Sequence, residues 1–544
     1  MVSNCVLSVE KPQNEAVLSY APGTPEKTTL KKRLAQMKAE SIDIPLIIGG
    51  REVRTGDTGT CVVPHENGRV LGTYHVAGPT EVQAAIRAAL AAKSEWENLP
   101  WEHRASIFLK AAQMVSGPWR STLNAATMLG QSKTALQAEI DAACEVIDYL
   151  SFGPYYLSEI YQEQPACTGD AWNRMEYRPL EGFVLAVSPF NFTAIAANLA
   201  CTPAMAGNVV IWKPASTAVY SGYHLMKLLQ AAGLPDGVIN FVPGPGGSVT
   251  GVALADERLA GVHFTGSTSV FQDMWSTVAH NLRQYRTYPR LVGETGGKGF
   301  IFAHSSADHR ELVAALVRGA FEYQGQKCSA ASRAYIPESL WPSTMERLVE
   351  CISSIRVGDV TDFTNFMGAV IDQKAFNSIK SYIDFAREAG DAQIIAGGGC
   401  DDSEGFFIQP TVILTTNPRF KTMREEIFGP VLTIYVYRDS DLEQALDLCD
   451  TTSPYGLTGA IFARERQAIS YMEHRLSATA GNFYINDKPT GAVVGQQPFG
   501  GARASGTNEK AGSKLNMLRW ISPRTIKENL APGGEYGYPH MLEP

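Results

Sequence analysis

Across residues 183–212 the chain carries no charged side chain, and a run of that length belongs either in a bilayer or in a protein interior. Pro189, Pro203, Gly207, Asn191, Asn198 and Asn208 interrupt it. A spanning helix would leave such breaks and amides without water to satisfy them, so burial inside the protein is the better account. Its ends read as strands, FVLAVS (183–188) and VVIW (209–212), with an apolar helix between them. That is a strand–helix–strand unit, and short apolar strands of this kind belong to a parallel sheet covered on both faces. The rhythm continues through a helix over 219–232, VINFV (238–242), a short helix near Val249, GVHFTG (261–266) and a helix over 271–282. A second alternating series runs from Lys298 to about Ile485. The fold class is therefore α/β, built from repeated βαβ units.

Upstream, amphipathic helices are expected over 80–96 and 103–116, with a long helical stretch over 134–161. Residues 164–180 lose that periodicity and carry Pro165, Gly169 and Pro179, so they read as an excursion between elements. The tail after Asn508 is mixed and ends Pro/Gly-rich. At 544 residues the chain exceeds one hydrophobic core and needs two or three units. A net charge of −8, with basic residues scattered, argues against a nucleic-acid or anionic-membrane partner. The one dense basic cluster (Lys27, Lys31, Lys32, Arg33) fits a solvated helix face. Nine dispersed cysteines form no C-x-x-C pair, so neither a zinc site nor a disulfide framework is expected. Residues 1–20 lack an apolar core, contain Glu10 and Glu15, and match neither a secretory signal nor an Arg-rich transit peptide.

Four segments carry reactive chemistry. In FEYQGQKCSA (321–330), Cys328 follows a polar, glycine-containing turn at a helix end. A nucleophilic cysteine needs access and a depressed pKa, whereas most cysteines are small buried hydrophobes. In LVGETGGKG (291–299), Glu294 ends an apolar strand before glycines that let the backbone approach a ligand. Alone, that carboxylate reads equally well as a helix cap or an ion-pair partner. In SPFNFTA (188–194), Asn191 sits in a strand-to-helix turn, where its amide either satisfies local backbone or faces a developing oxyanion. In KTMREEIFGPVL (421–432), two acids precede Phe428 and a Gly-Pro turn.

Taken with VVIWKPAS (209–216), FTGS (264–267) and QPFGGARASG (497–506), these segments resemble the aldehyde dehydrogenase superfamily. They occur in the superfamily's order, with Glu294 and Cys328 34 residues apart, and the likeness runs from about Asn14 onward. Further stretches (181–195, 480–508 and 518–528) narrow it to the eukaryotic-like branch that oxidises L-glutamate γ-semialdehyde to glutamate in proline degradation. The resemblance implies a Rossmann-like dinucleotide-binding domain (1–163 and 181–296, including N-terminal helices) and an α/β catalytic domain (297–490). It also implies a small β-flap and tail for oligomerisation (164–180 and 505–544).

By the same resemblance, Cys328 is the nucleophile, Glu294 the base and Asn191 an oxyanion donor. NAD is the implied cofactor, held by Ser188, Lys213, Ser216, Gly266, Ser267, Thr268, Glu426 and Phe428, and no metal is involved. The glycine string at Gly244 and Gly246 is weak evidence for a pyrophosphate loop; the FTGS turn opening a helix is the implied site. Two departures stand out. Phe271 replaces a glycine common in the superfamily, and Ser216 replaces an acid frequent in NAD-selective members, which leaves room for some NADP use. Phe192 and Phe499 would flank the substrate chain while Ser329, Gly491 and Ala492 hold its α-carboxylate; both phenylalanines also read as plain core residues.

The implied partners are the small-molecule substrate, further copies of the chain in a homodimer or larger homo-oligomer, and functional coupling to a proline dehydrogenase. No membrane span is expected. The implied compartment is the mitochondrial matrix, with the cytoplasm as alternative because no transit peptide is evident. Two other functions are open to such a chain: oxidation of another semialdehyde, or a retired homologue that only binds. The joint presence of Cys328, Glu294, Asn191, Lys213 and Glu426 argues against retirement.

Overall fold

The computed structural model describes residues 7–542. Cys5 and the first six residues of the 1–20 stretch, which reads as lacking a leader, lie outside the described residues. The uncharged run folds as strand Phe183–Val187, helix Thr193–Met205 and strand Val209–Lys213, all of it buried but for parts of the turn at 189–192 and of Ile195. Among the described residues no helix is long and apolar enough to cross a membrane.

Both alternating series build a seven-stranded sheet. The first runs in the order Arg290–Glu294, Leu259–Thr265, Phe183–Val187, Val209–Lys213, Ile239–Phe241, Leu46–Ile48, Arg51–Val53. Its first five strands are mutually parallel, and its last two pairings are antiparallel. The second runs Ala392–Ala396, Thr411–Thr415, Val431–Tyr437, Ala331–Pro337, Gly299–Ala303, Thr458–Phe462, Asn482–Ile485. It is parallel except for its first strand. The first sheet has one continuous apolar core; the second has a core on each face.

Three features depart from the expectations drawn from the sequence. The N-terminal region contains strands as well as helices: Leu46–Ile48 and Arg51–Val53 join across Gly49 and Gly50, both at positive φ (56° and 76°). Such a glycine pair suits the tight hairpin turn and is the sequence signal for it. Glu66–His75 also pairs with Ile42–Ile44 and Thr58–Val63 in a separate three-stranded sheet. The long helical stretch is broken by a π-turn, Glu139–Glu145, before Val146–Gln162 continues. π-Turns collect at functional positions, and this one carries the acids Glu139, Asp141 and Glu145, each buried or partly so. Finally, the excursion after Gln162 contains strand Ala171–Arg178, paired antiparallel with Ser522–Asn529 in a ribbon of its own.

Candidate active site

A cleft of about 940 Å³ opens where the strands of the first sheet end, at the upper limit of small-molecule sites (roughly 300–1,000 Å³). Ser188, Asn191, Lys213, Gly266, Ser267, Cys328, Glu426 and Phe428 line it together. Residues that lie far apart in sequence therefore meet in one space. Ser216, Thr268, Glu294, Phe192, Ser329, Gly491, Ala492 and Phe499 are not on its wall.

At one end, Lys213 closes its strand, buried, and desolvation pushes its ammonium down to about 8. Ser216 lies close to the Tyr74 hydroxyl, whose pKa it lowers against the effect of burial. Glycines 246, 247 and 251 border the cleft with open space where a Cβ would sit. In the middle, Ser267 caps helix Thr268–Asn281 without using its side chain, so the first-turn amides face the cleft unclaimed. An isolated buried cation and a free helix N-terminus along one cleft fit a dinucleotide with an anionic centre. Phe271, the departure from the usual glycine, stacks on Phe264 at 5.4 Å and lies beneath Gly293, where a Cβ would come within 2.2 Å of its ring. Its bulk goes into the core rather than into the cleft.

At the other end, the Glu426 carboxylate accepts the Gly297 N–H at 2.7 Å, and burial raises its pKa. A Cβ on Gly296 would meet that carboxylate at 2.5 Å, and one on Gly297 would fall 2.1 Å from the Cys328 carbonyl oxygen, a backbone approach that requires glycine. Thr268 ties the same turn down, accepting the Gly296 N–H at 3.3 Å and donating to the Ala504 carbonyl at 3.2 Å. Phe428, at φ 57°, packs edge-on against Phe190 at 5.7 Å. Ser188 accepts the Trp212 indole N–H at 3.0 Å.

The nucleophile's loop is unusual backbone. Helix His309–Phe321 ends in a turn where Tyr323 and Gln324 both have positive φ (52° and 54°). Gln324 holds this shape by donating to the carbonyls of Ser132 (2.9 Å) and Ala369 (2.7 Å) and accepting the Gly368 N–H (3.1 Å). Asn191 donates one amide hydrogen to the Gln326 carbonyl at 3.1 Å, leaving its second N–H unused in the cleft that Cys328 also lines. The expected low pKa of Cys328 is not what the structure shows. Burial pushes the thiol well up, and the nearby carboxylates Glu294 and Glu426 push it further. Among the described residues no cation offsets these effects at the sulfur, so they favour the neutral thiol.

Glu294 is similarly displaced. Burial raises its carboxyl well above the usual range, and its Oε2 has no hydrogen-bond partner. Its other oxygen lies 2.9 Å from where a Cβ on Gly500 would stand. Ser329 pairs with Thr490 at 2.8 Å, which fastens the nucleophile loop to the segment carrying Gly491 and Ala492. Phe499 is held by reciprocal backbone bonds to Ala511 (3.0 and 2.7 Å).

Sequence reasoning missed a cluster behind Phe192. Lys133 and Asp141 form a fully buried ion pair at 2.7 Å. Asp141 also accepts the N–H groups of Thr193 (3.0 Å) and Ala194 (2.8 Å), capping the helix that follows Asn191. The Lys133 ammonium lies 3.7 Å from the Phe192 ring centroid and 4.4 Å from that of Tyr323. Glu145, on the π-turn, has its carboxyl raised to about 8 by burial and by Asp141, against the pull of Lys133 and Lys327. Tyr149, one turn on, feels both Glu145 and the Cys328–Glu294 pair. The available signal was acidic residues at 139, 141, 145 and 148 in an otherwise apolar helical stretch.

Comparison with known proteins agrees with this geometry. Residues 53–526 match the aldehyde dehydrogenase family. The mitochondrial delta-1-pyrroline-5-carboxylate dehydrogenase of Dictyostelium discoideum is 53% identical over 99% of this chain and 97% of its own. The Homo sapiens mitochondrial enzyme of the same name is 48% identical over 98% and 94%. Among solved structures, the Mycobacterium tuberculosis delta-pyrroline-5-carboxylate dehydrogenase bound with NAD superposes with a TM-score of 0.96 at 51% identity, over 99% of this chain and 100% of that one. Cleft, strand-end carboxylate and cleft-lining cysteine agree with these matches, and the chain belongs to the aldehyde dehydrogenase family.

Proposed function

We propose that this chain is an NAD-dependent L-glutamate γ-semialdehyde dehydrogenase that acts in the second step of proline degradation. The observation that carries the reading is that Cys328 opens onto the cleft it shares with Lys213, Gly266, Ser267 and Glu426, in a chain with near-full-length relatives of that activity. Ser188, Lys213, Ser216, Gly266, Ser267, Thr268, Glu426 and Phe428 would hold the cofactor, which when bound supplies the hydride acceptor.

The chain's own residues do the rest. Cys328 gives up its proton to water in the cleft, and its sulfur bonds the aldehyde carbon as the carbonyl π pair moves onto oxygen. The resulting oxyanion lies between the free N–H of Asn191 and the backbone N–H of Cys328; losing one such donor typically costs roughly 10²–10³ in rate. After oxidation to the thioester, Glu294 takes a proton from water, the hydroxyl adds to the acyl carbon and the C–S bond breaks, returning the thiolate. A carboxyl raised by burial is matched to a base working near neutral pH. Phe192 and Phe499 flank the chain of the substrate. Ser329 and the backbone at Gly491 and Ala492 hold its α-carboxylate.

The reading divides the chain into 1–163 with 181–296, 297–490, and 164–180 with 505–544, a division supported by the separate seven-stranded sheets and the ribbon. We read the ribbon as the oligomer contact, because Trp172 on it is 59% exposed and bare strand edges call for pairing. Residence in the mitochondrial matrix, supported by the mitochondrial names of relatives such as those of Dictyostelium discoideum and Homo sapiens, and functional coupling to a proline dehydrogenase, supported by likeness to a proline utilization A protein, complete the reading. The decisive experiment is rapid mixing of wild type and Glu294→Gln with NAD and glutamate γ-semialdehyde. Wild type should turn over steadily. The variant should release up to one reduced cofactor per site and then stall, since hydrolysis is the step it lacks. No turnover by wild type, or a variant with neither burst nor turnover, would sink the substrate or the base assignment respectively.

A further inference from the structure

The N-terminal segment over residues 7–21 forms neither helix nor strand and lies along helix Val146–Gln162, bonded to Ser158 and Asp148 of it. Its fastenings cluster at Asn14. The Asn14 amide donates to Asp148 Oδ2 at 2.8 Å and to the Val494 carbonyl at 2.7 Å, while its Oδ1 accepts from Gln496 Nε2 at 2.8 Å. Every polar atom of that side chain is thereby used, and two of its three partners lie in the segment just after Gly491 and Ala492. Asp148 accepts the Glu15 N–H at 2.9 Å with its other oxygen, fixing this strap to the helix. Gly495 rests against the Phe152 ring of that helix, where a Cβ would fall within 2.5 Å of it.

We infer that Asn14 is a positioning residue for the loop 490–497, holding its backbone at the distance at which Gly491 and Ala492 meet the carboxylate of the substrate. This rests on the proposed role of those two residues. Neither Asn14 nor Asp148 touches the reacting atoms. What they set is the register of a loop in which only Thr490 and Val494 are buried, and a loop with so few buried side chains opens readily. Selectivity for an amino-acid aldehyde thus depends on a residue 480 positions away in the chain.

Asn14→Ala in the full-length enzyme tests this with two substrates, glutamate γ-semialdehyde and propanal, which has no carboxylate. The expected result is a roughly three- to tenfold loss of kcat/KM for the semialdehyde, carried by KM, as befits one or two neutral hydrogen bonds. Both constants for propanal should stay within about twofold. Asn14→Asp loses both donors while keeping the size, and should behave at least as badly. Hydrogen exchange at residues 493–497 should quicken in both variants. Ser158→Ala, which frees the strap where Val9 N–H meets Ser158 Oγ at 3.4 Å, should leave selectivity alone. Equal losses on both substrates, or unchanged exchange in the loop, overturn the proposal. Ser329→Ala measured alongside separates the two ideas. If it is selective for the semialdehyde and Asn14→Ala is not, the carboxylate site stands and the strap has no part in it. If Ser329→Ala hurts both substrates alike, the carboxylate site itself is wrong, and the selectivity inferred for Asn14 falls with it.

Discussion

The two ends of the active site are built on opposite plans. The cofactor cleft is roomy, bordered by glycines and short side chains, and holds one isolated buried cation, Lys213. The acyl side is packed tight and crowded with buried ionisable groups: Glu294 without a partner, Glu145, and the Lys133–Asp141 pair. One end recognises by shape and backbone; the other works by electrostatics in a low-dielectric setting. Substitutions on the acyl side should therefore cost far more than substitutions along the cleft.

The largest effect tests the acyl plan directly. Cys328→Ala should abolish turnover while the folded protein still binds NAD by fluorescence titration, and Ala at Cys351 or Cys449 should leave activity largely intact. Normal turnover by Cys328→Ala would end the mechanism. Because burial, Glu294 and Glu426 all raise the thiol's pKa, its alkylation by iodoacetamide should be slow at neutral pH and climb through the alkaline range. A rate already at its plateau in neutral buffer would mean a resting thiolate.

Next in size is the buried pair. Lys133→Met leaves Asp141 an uncompensated charge, and breaking such a pair typically costs about 3–5 kcal/mol, read by urea or thermal unfolding. If Lys133→Met unfolds like wild type, the pair is not the brace behind Phe192 that its geometry describes. Smaller again is Ser329→Ala, where losing one hydrogen bond to a charged group, about 1.5–3 kcal/mol, should lower kcat/KM for the semialdehyde by about ten- to a hundredfold. The smallest effect belongs to the cleft. Ser216→Glu places a carboxylate where, in the proposed cofactor site, a 2′-phosphate would lie, so it should depress any NADP-dependent rate and barely move the NAD-dependent one. A large loss with NAD would show that this end, too, is electrostatically demanding.

Much of the fold and part of the site are legible in the amino-acid order. The uncharged run at 183–212 reads as a strand, a helix and a strand to within a residue or two of where they lie, because apolar periodicity reports burial directly. Asn191 and Cys328 stand out because their local settings, a strand-to-helix turn and a glycine-bearing loop, are themselves sequence signals. Other features are hidden for a physical reason. Lys133 and Asp141 look like ordinary helix-surface charges until a distant element covers them, and Asn14 acquires its role only through partners at 148, 494 and 496. The raised thiol of Cys328 is also out of reach. Its sign depends on which charges the fold brings near, and here those are two carboxylates.

Trp520 has a consequence of another kind. Its ring is fully buried in the core of the first sheet, 4.6 Å from that of His263, and its carbonyl accepts from Asn208 at 2.9 Å. The ribbon that follows joins residue 529 to residue 171. On a ribosome, the strands at 183–294 emerge long before the residues that seal them. A chain made N-terminal end first must hold that apolar sheet partly uncovered while roughly 200 further residues are added. The nascent chain is thus exposed to aggregation during synthesis for reasons of topology alone, and truncation upstream of Trp520 should leave a protein that depends on chaperones to remain in solution.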